Sequence, residues 1–284
     1  MPTEATTQPS DLTESDFRRI REVLHQHCGI ALNESKRELV RARVAKELRA
    51  TGLSTVGEYL DRVLADRGEG FTRFIDSLST NLTSFFREAD HFAHLTGTFL
   101  PPLLRARAAA GDRRLIAWSA ACSSGEEAYT MAMVVQACID TTFGRSSPPW
   151  DVRILATDIS TRVLERAKLG EYDSGGASRI PAEMRERHLV ALPNGRCRVR
   201  DELRASIRFR HLNLMDSWPF SGPFDFIFCR NVMIYFDSAT QQRLVGRLAE
   251  CLRPGGLLFT GHSESLTGVA HKMVHRGPSI YQRP

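Results

Sequence analysis

Four side chains are of the types, and sit in the contexts, that chemistry on a small charged ligand would use: Arg87, Glu127, Asp158 and Tyr235. Glu127 follows Ser119-Ala120-Ala121-Cys122-Ser123-Ser124-Gly125, a run of small residues over which a ligand can reach the backbone, Ala121 being a candidate contact. Asp158 comes directly after a β-type run at 152–156, where a carboxylate can accept bonds from two vicinal hydroxyls. Arg87 ends Asn81-Leu82-Thr83-Ser84-Phe85-Phe86-Arg87, a candidate lid just before the run at 115–125. Tyr235 lies in Arg230-Asn231-Val232-Met233-Ile234-Tyr235-Phe236, beyond the apolar run Phe224-Asp225-Phe226-Ile227-Phe228-Cys229. Each has a plainer reading. Ser124 and Glu127 have capping-box spacing, Asp158 could bond turn N–H groups, and the paired phenylalanines could plug a domain interface instead of forming a lid.

Positioning these residues requires a particular architecture. The run at 115–118 is a buried strand, the small residues a tight loop, and Ala128, Met131 and Val135 the inner face of a helix. A strand–loop–helix unit aims free N–H groups and a positive dipole end at whatever lies above the strand. Only Gly125 of this loop is glycine, so the dinucleotide fingerprint is absent, which speaks against a dinucleotide and leaves room for a ligand without a pyrophosphate, such as S-adenosylmethionine. Further strands at 152–156, 224–229 and 257–260 extend a doubly wound α/β sheet, whose ligands bind past the carboxyl ends of the strands.

The 284 residues suffice for a large α/β domain plus a smaller one. No apolar run reaches membrane-spanning length and no signal pattern opens the chain, so a cytoplasmic location is expected. The six dispersed cysteines read as reduced core residues. His91/His94 and His271/His275 read as surface histidines, and no metal site is expected. Residues 1–11 read as a flexible end, and helices near 12–28, 35–50, 55–66 and 70–80 as an all-helical N-terminal module spanning 12–80. A linker and lid helix occupy 81–110, and the catalytic domain 111–284. Between Lys36 and Arg49 six basic residues face two acidic ones. Arg43, Lys46 and Arg49, at spacing three, read as one basic face able to dock an acidic partner. Arginine alternates with apolar residues around 196–200 and 207–210, and Pro193-Asn194-Gly195 is a turn signal, so 172–211 reads as a small antiparallel insert.

Taken together, Asn81-x-Thr-x-Phe-Phe-Arg87, Trp118-Ser-Ala-Ala-Cys-Ser-Ser-Gly-Glu-Glu127, Ala156-Thr-Asp158, Asn213-Leu214, Phe228-Cys-Arg-Asn-Val-Met-Ile-Tyr-Phe236 and Gly261-His-Ser-Glu264 occur in the order found in the CheR family. Over about residues 12–282 the chain resembles these chemotaxis receptor glutamate O-methyltransferases. The resemblance implies a class I S-adenosylmethionine-dependent methyltransferase with a Rossmann-like sheet, an inserted β-subdomain and an all-α N-terminal domain. It places Asn81, Thr83, Arg87, Glu127, Asp158, Asn213, Leu214, Arg230 and Asn231 around the cofactor. Asp158 would take the ribose, Asn213 the adenine edge and Glu127 the methionine amino group. Arg87 would hold the methionine carboxylate or the substrate glutamate, and Tyr235 would lie near the transferring methyl. The implied partners are the cytoplasmic methylation helices of chemoreceptors, not nucleic acid and not the bilayer. A nucleic-acid methyltransferase and a silent cofactor-binding protein are the alternatives. Some relatives dock a receptor pentapeptide on a longer β-subdomain loop; the short 191–195 connection here suggests that this chain does without it.

Overall fold

The computed structural model describes residues 12–65, 68–79 and 81–284; the end read as flexible, 1–11, lies outside them. The chain begins with four helices, α1 (Glu14–Cys28), α2 (Arg37–Thr51), α3 (Val56–Ala65) and α4 (Glu69–Leu78). Thr13 caps α1 in a full capping box with Asp16. Gly29 and Gly52 end α1 and α2 in left-handed conformations. The four helices share one core built on Phe17, Ile20, Leu24, Val44, Leu60 and Phe74.

Residues 81–88 lead into α5 (Ala89–His94), a π-helical turn (Leu95–Phe99) and α6 (Leu100–Ala109). Pro101 and Pro102 follow that turn and have no N–H to donate, so the regular ladder cannot run through it. Then come β1 (Arg114–Ala120), α7 (Glu126–Phe143), β2 (Asp151–Asp158), α8 (Thr161–Leu169), β3 (Glu171–Asp173), α9 (Ser174–Ala177), α10 (Ala182–His188), β4 (Leu189–Leu192), β5 (Arg196–Val199), α11 (Asp201–Ala205) and β6 (Ile207–His211). The chain closes with β7 (Phe224–Cys229), α12 (Ser238–Cys251), β8 (Leu252–Phe259), β9 (Val274–Gly277) and β10 (Ile280–Gln282).

The large sheet has the order β6-β2-β1-β7-β8-β10-β9. Its first five strands are parallel, and β10 runs antiparallel to both neighbours. From β1 the chain winds first toward β2 and β6, then toward β7 and β8. The carboxyl ends of β1 and β7 therefore flank the topological switch point, where such sheets bind ligands. One core packs against each face of the sheet, the first including Phe226, Phe228 and Tyr129, the second Trp118, Ile227 and Leu248. All six cysteines are buried and unpaired.

The small sheet has the order β3-β5-β4. It is smaller than the expected insert at 172–211, because β6 pairs in parallel with β2 and forms the edge of the large sheet. Alternation of Arg208 and Arg210 with the buried Ile207 and Phe209 marks a strand with one wet face. Period two cannot say which sheet owns it.

Candidate active site

A cavity of about 380 Å³ opens above the carboxyl ends of β1, β2 and β7 and is roofed by the N-terminal helices. Asn81, Thr83, Arg87, Ala121, Glu127, Asp158, Asn213, Leu214, Arg230, Asn231 and Tyr235 all line it, so residues scattered over 155 positions (235 minus 81, plus one) meet in one place. Arg43 lines it as well.

Local backbone strain concentrates here. Seven non-glycine residues among those described have positive φ, and five of them, Phe86, Glu88, Ala121, Ser123 and Asn231, line the cavity or bracket Arg87. Such conformations cost about 1–3 kcal/mol each and persist where surrounding structure enforces them. At Gly125, φ is +96°, and a Cβ would stand 2.9 Å from that of Ala167. Only glycine lets α7 start this close to α8.

Glu127 is not a capping residue. The helix N-cap is Gly125, Ser124 Oγ bonds Glu126, and Glu127 turns inward to accept from Ser119 Oγ at 2.6 Å. Its other oxygen lies 3.3 Å from Arg230 Nη1. Burial pushes the Glu127 carboxyl above its ordinary range, and Arg230 and Ser119 pull against that. Arg230 is itself buried between Glu127 and Glu88 and lies over the rings of Phe92 and Phe228. It also donates to the Arg87 carbonyl.

Asp158 is buried, and each oxygen accepts a backbone N–H, from Ser123 at 2.8 Å and from Ser160 at 2.9 Å. Desolvation raises its pKa and these N–H groups oppose the rise. The turn-bonding alternative is thus part of its environment, and each oxygen keeps a second lone pair. The Asn213 side chain is more fully committed: Nδ2 donates to His27 O at 2.5 Å and to Asp216 at 3.2 Å, and Oδ1 accepts from Met215 N. It ties the N-terminal domain to the sheet, and no amide donor is left for an adenine edge. Asn81 Nδ2, in contrast, is buried at the cavity without a partner.

Arg87 donates to Leu82 O at 2.8 Å, closing residues 82–87 into a loop. Phe85 plugs the interior against Tyr172, ring centroids 4.8 Å apart, so the plug reading of the paired phenylalanines describes this residue. Tyr235 ends a short 3₁₀ turn, and its carbonyl accepts from Ala31 N at 2.7 Å. Ile30 pairs with Phe236 beside it.

Two carboxylates at the site escaped sequence reasoning. Glu264 accepts from the backbone N–H groups of Asn231 (2.7 Å), Ile234 (3.2 Å) and Gly261 (2.6 Å), and so holds the turn that carries Tyr235. Its motif, Gly261-His-Ser-Glu264, was visible, but nothing local shows which loop it grips. Glu88 bonds Arg230 and Asn231. His91 is a correction: it is fully buried against Phe228, Phe259 and His262, not on the surface. Glu88, His91 and His262 bring three potential metal-ligand atoms within 4.8 Å, yet the Glu88 oxygens are already taken by Arg230 and Asn231.

The basic face read on α2 divides. Arg43 turns inward, lines the cavity and donates to Ser79 O at 3.0 Å, whereas Lys46 and Arg49 are exposed. A step of three residues falls about 60° short of a full turn, so Arg43 and Arg49 end about 120° apart.

A mostly parallel sheet of this order, with an acid ending β2 and a small-residue loop after β1, defines a class I S-adenosylmethionine-dependent methyltransferase. The family description for the S-adenosylmethionine-binding domain of CheR methyltransferases matches residues 81–280, and that for their all-alpha domain matches 15–79. The chain belongs to the CheR methyltransferase family. It is 40% identical over 282 residues to the chemotaxis protein methyltransferase of Escherichia coli K12, covering 97% of this chain and 93% of that one. Chemotaxis protein methyltransferase 2 of Pseudomonas aeruginosa is 40% identical, with 95% and 93% covered. The probable chemotaxis protein methyltransferase of Rhizobium etli is 41% identical, with 92% and 96% covered. The residues present fit the cofactor: the unpartnered Asn81 amide faces a cavity of small-molecule size whose floor carries Glu127, Asp158 and Arg230.

Proposed function

We propose that this chain transfers a methyl group from S-adenosylmethionine to glutamate side chains of chemoreceptors, forming glutamyl methyl esters. The observation that carries this reading is a single cavity with acidic residues at its floor and Lys36, Arg43 and Tyr235 among the residues toward the helical roof. The cofactor supplies an electrophilic methyl on a sulfonium centre. Asp158 suits its ribose, the Leu214 backbone its adenine, and Glu127 its amino group. Arg87 serves the methionine carboxylate or the incoming glutamate. A substrate glutamate with a pKa of about 4.3 is already ionised at neutral pH, so the site needs no general base. Its task is to orient the carboxylate and exclude water. The Tyr235 phenol is assigned the orienting role, supported by the bonds that fix its turn from two sides.

Receptor recognition is assigned to the basic residues of α2, without a C-terminal receptor tether. The support for the second part is the connection from β4 to β5: Leu192 pairs with Arg196, leaving only Pro193–Gly195 as loop. Normal methylation of receptors lacking the C-terminal pentapeptide, and no calorimetric heat with that peptide, are expected; micromolar binding would contradict this part.

The test of the main reading is methyl transfer by the purified chain from labelled S-adenosylmethionine to receptor-bearing membranes. Label released as methanol by mild alkali is expected. Alkali-stable label, or label in added RNA, would point to another acceptor.

A further inference from the structure

His91 is fully buried, and neither of its ring nitrogens has a hydrogen-bond partner. An imidazole buried in this way costs free energy that a ligand at those nitrogens would recover. The rings of Phe228 and Phe259 pack against it. Its polar neighbours are Glu88, whose Oε2 lies 3.6 Å from His91 Nδ1, and His262, whose ring meets the His91 ring edge-on at 4.9 Å. His262 Nε2 lies 3.0 Å from Asp90, and both of these side chains reach solvent, so the cluster is open to water on that side. Glu88, His91 and His262 stand outside the lining of the cavity above β1, β2 and β7.

Glu88 has charge and a lone pair to spare. The single guanidinium of Arg230 serves two carboxylates, Glu88 at 3.0 Å and Glu127 at 3.3 Å, and Asp90 adds a third acid at the opening. Of the roughly four lone-pair sites of a carboxylate, Glu88 uses two for Arg230 and one for Asn231. A cation beside His91 would therefore meet an unsatisfied imidazole and an incompletely neutralised acid.

We propose that Glu88, His91 and His262 form a zinc(II) site whose occupation opposes the binding of S-adenosylmethionine. Two imidazoles and a carboxylate are a ligand set that zinc accepts, with water completing the tetrahedron. Glu88 and His91, at the start of α5, have the i, i+3 spacing at which helical side chains meet. Ligand atoms on a tetrahedral zinc stand about 3.4 Å apart, and the 3.6 Å between Glu88 Oε2 and His91 Nδ1 is already close to that. All three ligand atoms lie within 4.8 Å of one another, so the exposed His262 has at most about 1.4 Å to close. Desolvation, helped by Arg230, lowers the His91 pKa to about 4, which keeps the ring in its neutral, metal-binding form at pH 7. The coupling runs through Arg230 and rests on the assignment of the methionine amino group to Glu127. With that cationic group at Glu127, the guanidinium is left to Glu88. Zinc needs the same Glu88 charge, so zinc and cofactor weaken each other by one common factor.

The test is calorimetric titration of the full, metal-free chain with zinc chloride, free zinc being set by a metal buffer, with and without saturating S-adenosylmethionine. His262→Ala, which removes an exposed ring and leaves the core alone, and His91→Phe are titrated alongside. One zinc per chain is expected, bound more weakly by either variant by at least about tenfold, the scale on which even a ligand's supporting partner matters. Zinc affinity of the wild type should fall when the cofactor is present, and the Kd for S-adenosylmethionine should rise by the same factor in saturating zinc. In His262→Ala the cofactor Kd should match that of the metal-free wild type and ignore zinc at that concentration. Zinc binding undiminished in His262→Ala and His91→Phe would place the ion on other histidines and overturn the site. Zinc binding that both substitutions weaken but S-adenosylmethionine leaves unchanged would overturn the coupling. A wild type that binds zinc but no S-adenosylmethionine would overturn the cofactor assignment and the coupling with it, leaving the zinc ligands supported by the two variants.

Discussion

At the scale of single residues, the site is a set of carboxylates given different tasks by their surroundings. Asp158 points both oxygens at the backbone of the loops it joins and keeps lone pairs for a ligand. Asp158→Ala should weaken S-adenosylmethionine binding by about 1.5–3 kcal/mol, the scale for hydrogen bonds to a charged group; calorimetry measures it, and an unchanged Kd would remove Asp158 from the ribose. Glu264 acts through others: it holds three N–H groups of the turn before Tyr235 and of its own loop. Glu264→Gln replaces an acceptor-only carboxylate by an amide with one acceptor oxygen, leaving at least one of those donors unpaired. Turnover should fall by about tenfold or more while S-adenosylmethionine affinity holds, the pattern for a lost transition-state interaction. Equal losses in both would mean general unfolding of the turn. The motif residues were legible because their types and order are distinctive. The roles of Glu88 and Glu264 were not, because Glu88 meets Arg230 across 142 positions and Glu264 grips Asn231 across 33.

At the scale of elements, α2 shows where periodicity succeeds and where it stops. Its apolar stripe of Val40, Val44 and Leu48 is buried as expected. Its basic residues drift around the axis, so Arg43 lines the cavity and Lys46 and Arg49 stay exposed. Lys46→Glu/Arg49→Glu should slow methylation of receptor at low salt with cofactor affinity intact, and the wild-type rate should fall as salt rises. A wild-type rate indifferent to salt would remove the steering role. The loop after β1 was equally legible, since a run of seven small residues before helical periodicity has few other uses, although β1 takes its first two, Ser119 and Ala120. Ownership of β6 was not, because alternation reports one wet face and says nothing about the neighbouring strand.

At the scale of the whole molecule, the N-terminal domain is clamped to the sheet at the loop that carries Tyr235. Ala31 bonds the Tyr235 carbonyl, His27 accepts from Asn213, and His25 lies 2.7 Å from Asp237, the cap of α12. These bonds join the helical domain to the loops that border the cavity. The assembled fold also carries an acid lability. His91 and His188 are buried, and desolvation, helped by Arg230 and Arg187 respectively, lowers both pKa values to about 4. The unfolded chain binds these protons from about pH 6.5 downward and the folded one does not, so stability falls as pH drops through that interval. Each histidine should cost about 2 kcal/mol at pH 5 relative to neutral pH. In denaturant titrations at both pH values, His91→Phe should shrink the loss by that amount; an undiminished loss would show that His91 titrates normally. The central claim is that this cavity esterifies receptor glutamates, and tandem mass spectrometry of the receptor after incubation with enzyme and S-adenosylmethionine tests it most directly. A methyl mass on glutamate side chains, much slower to appear with Tyr235→Phe at unchanged cofactor affinity, is the predicted result. A methyl on any other residue type, or none on the receptor, would contradict it.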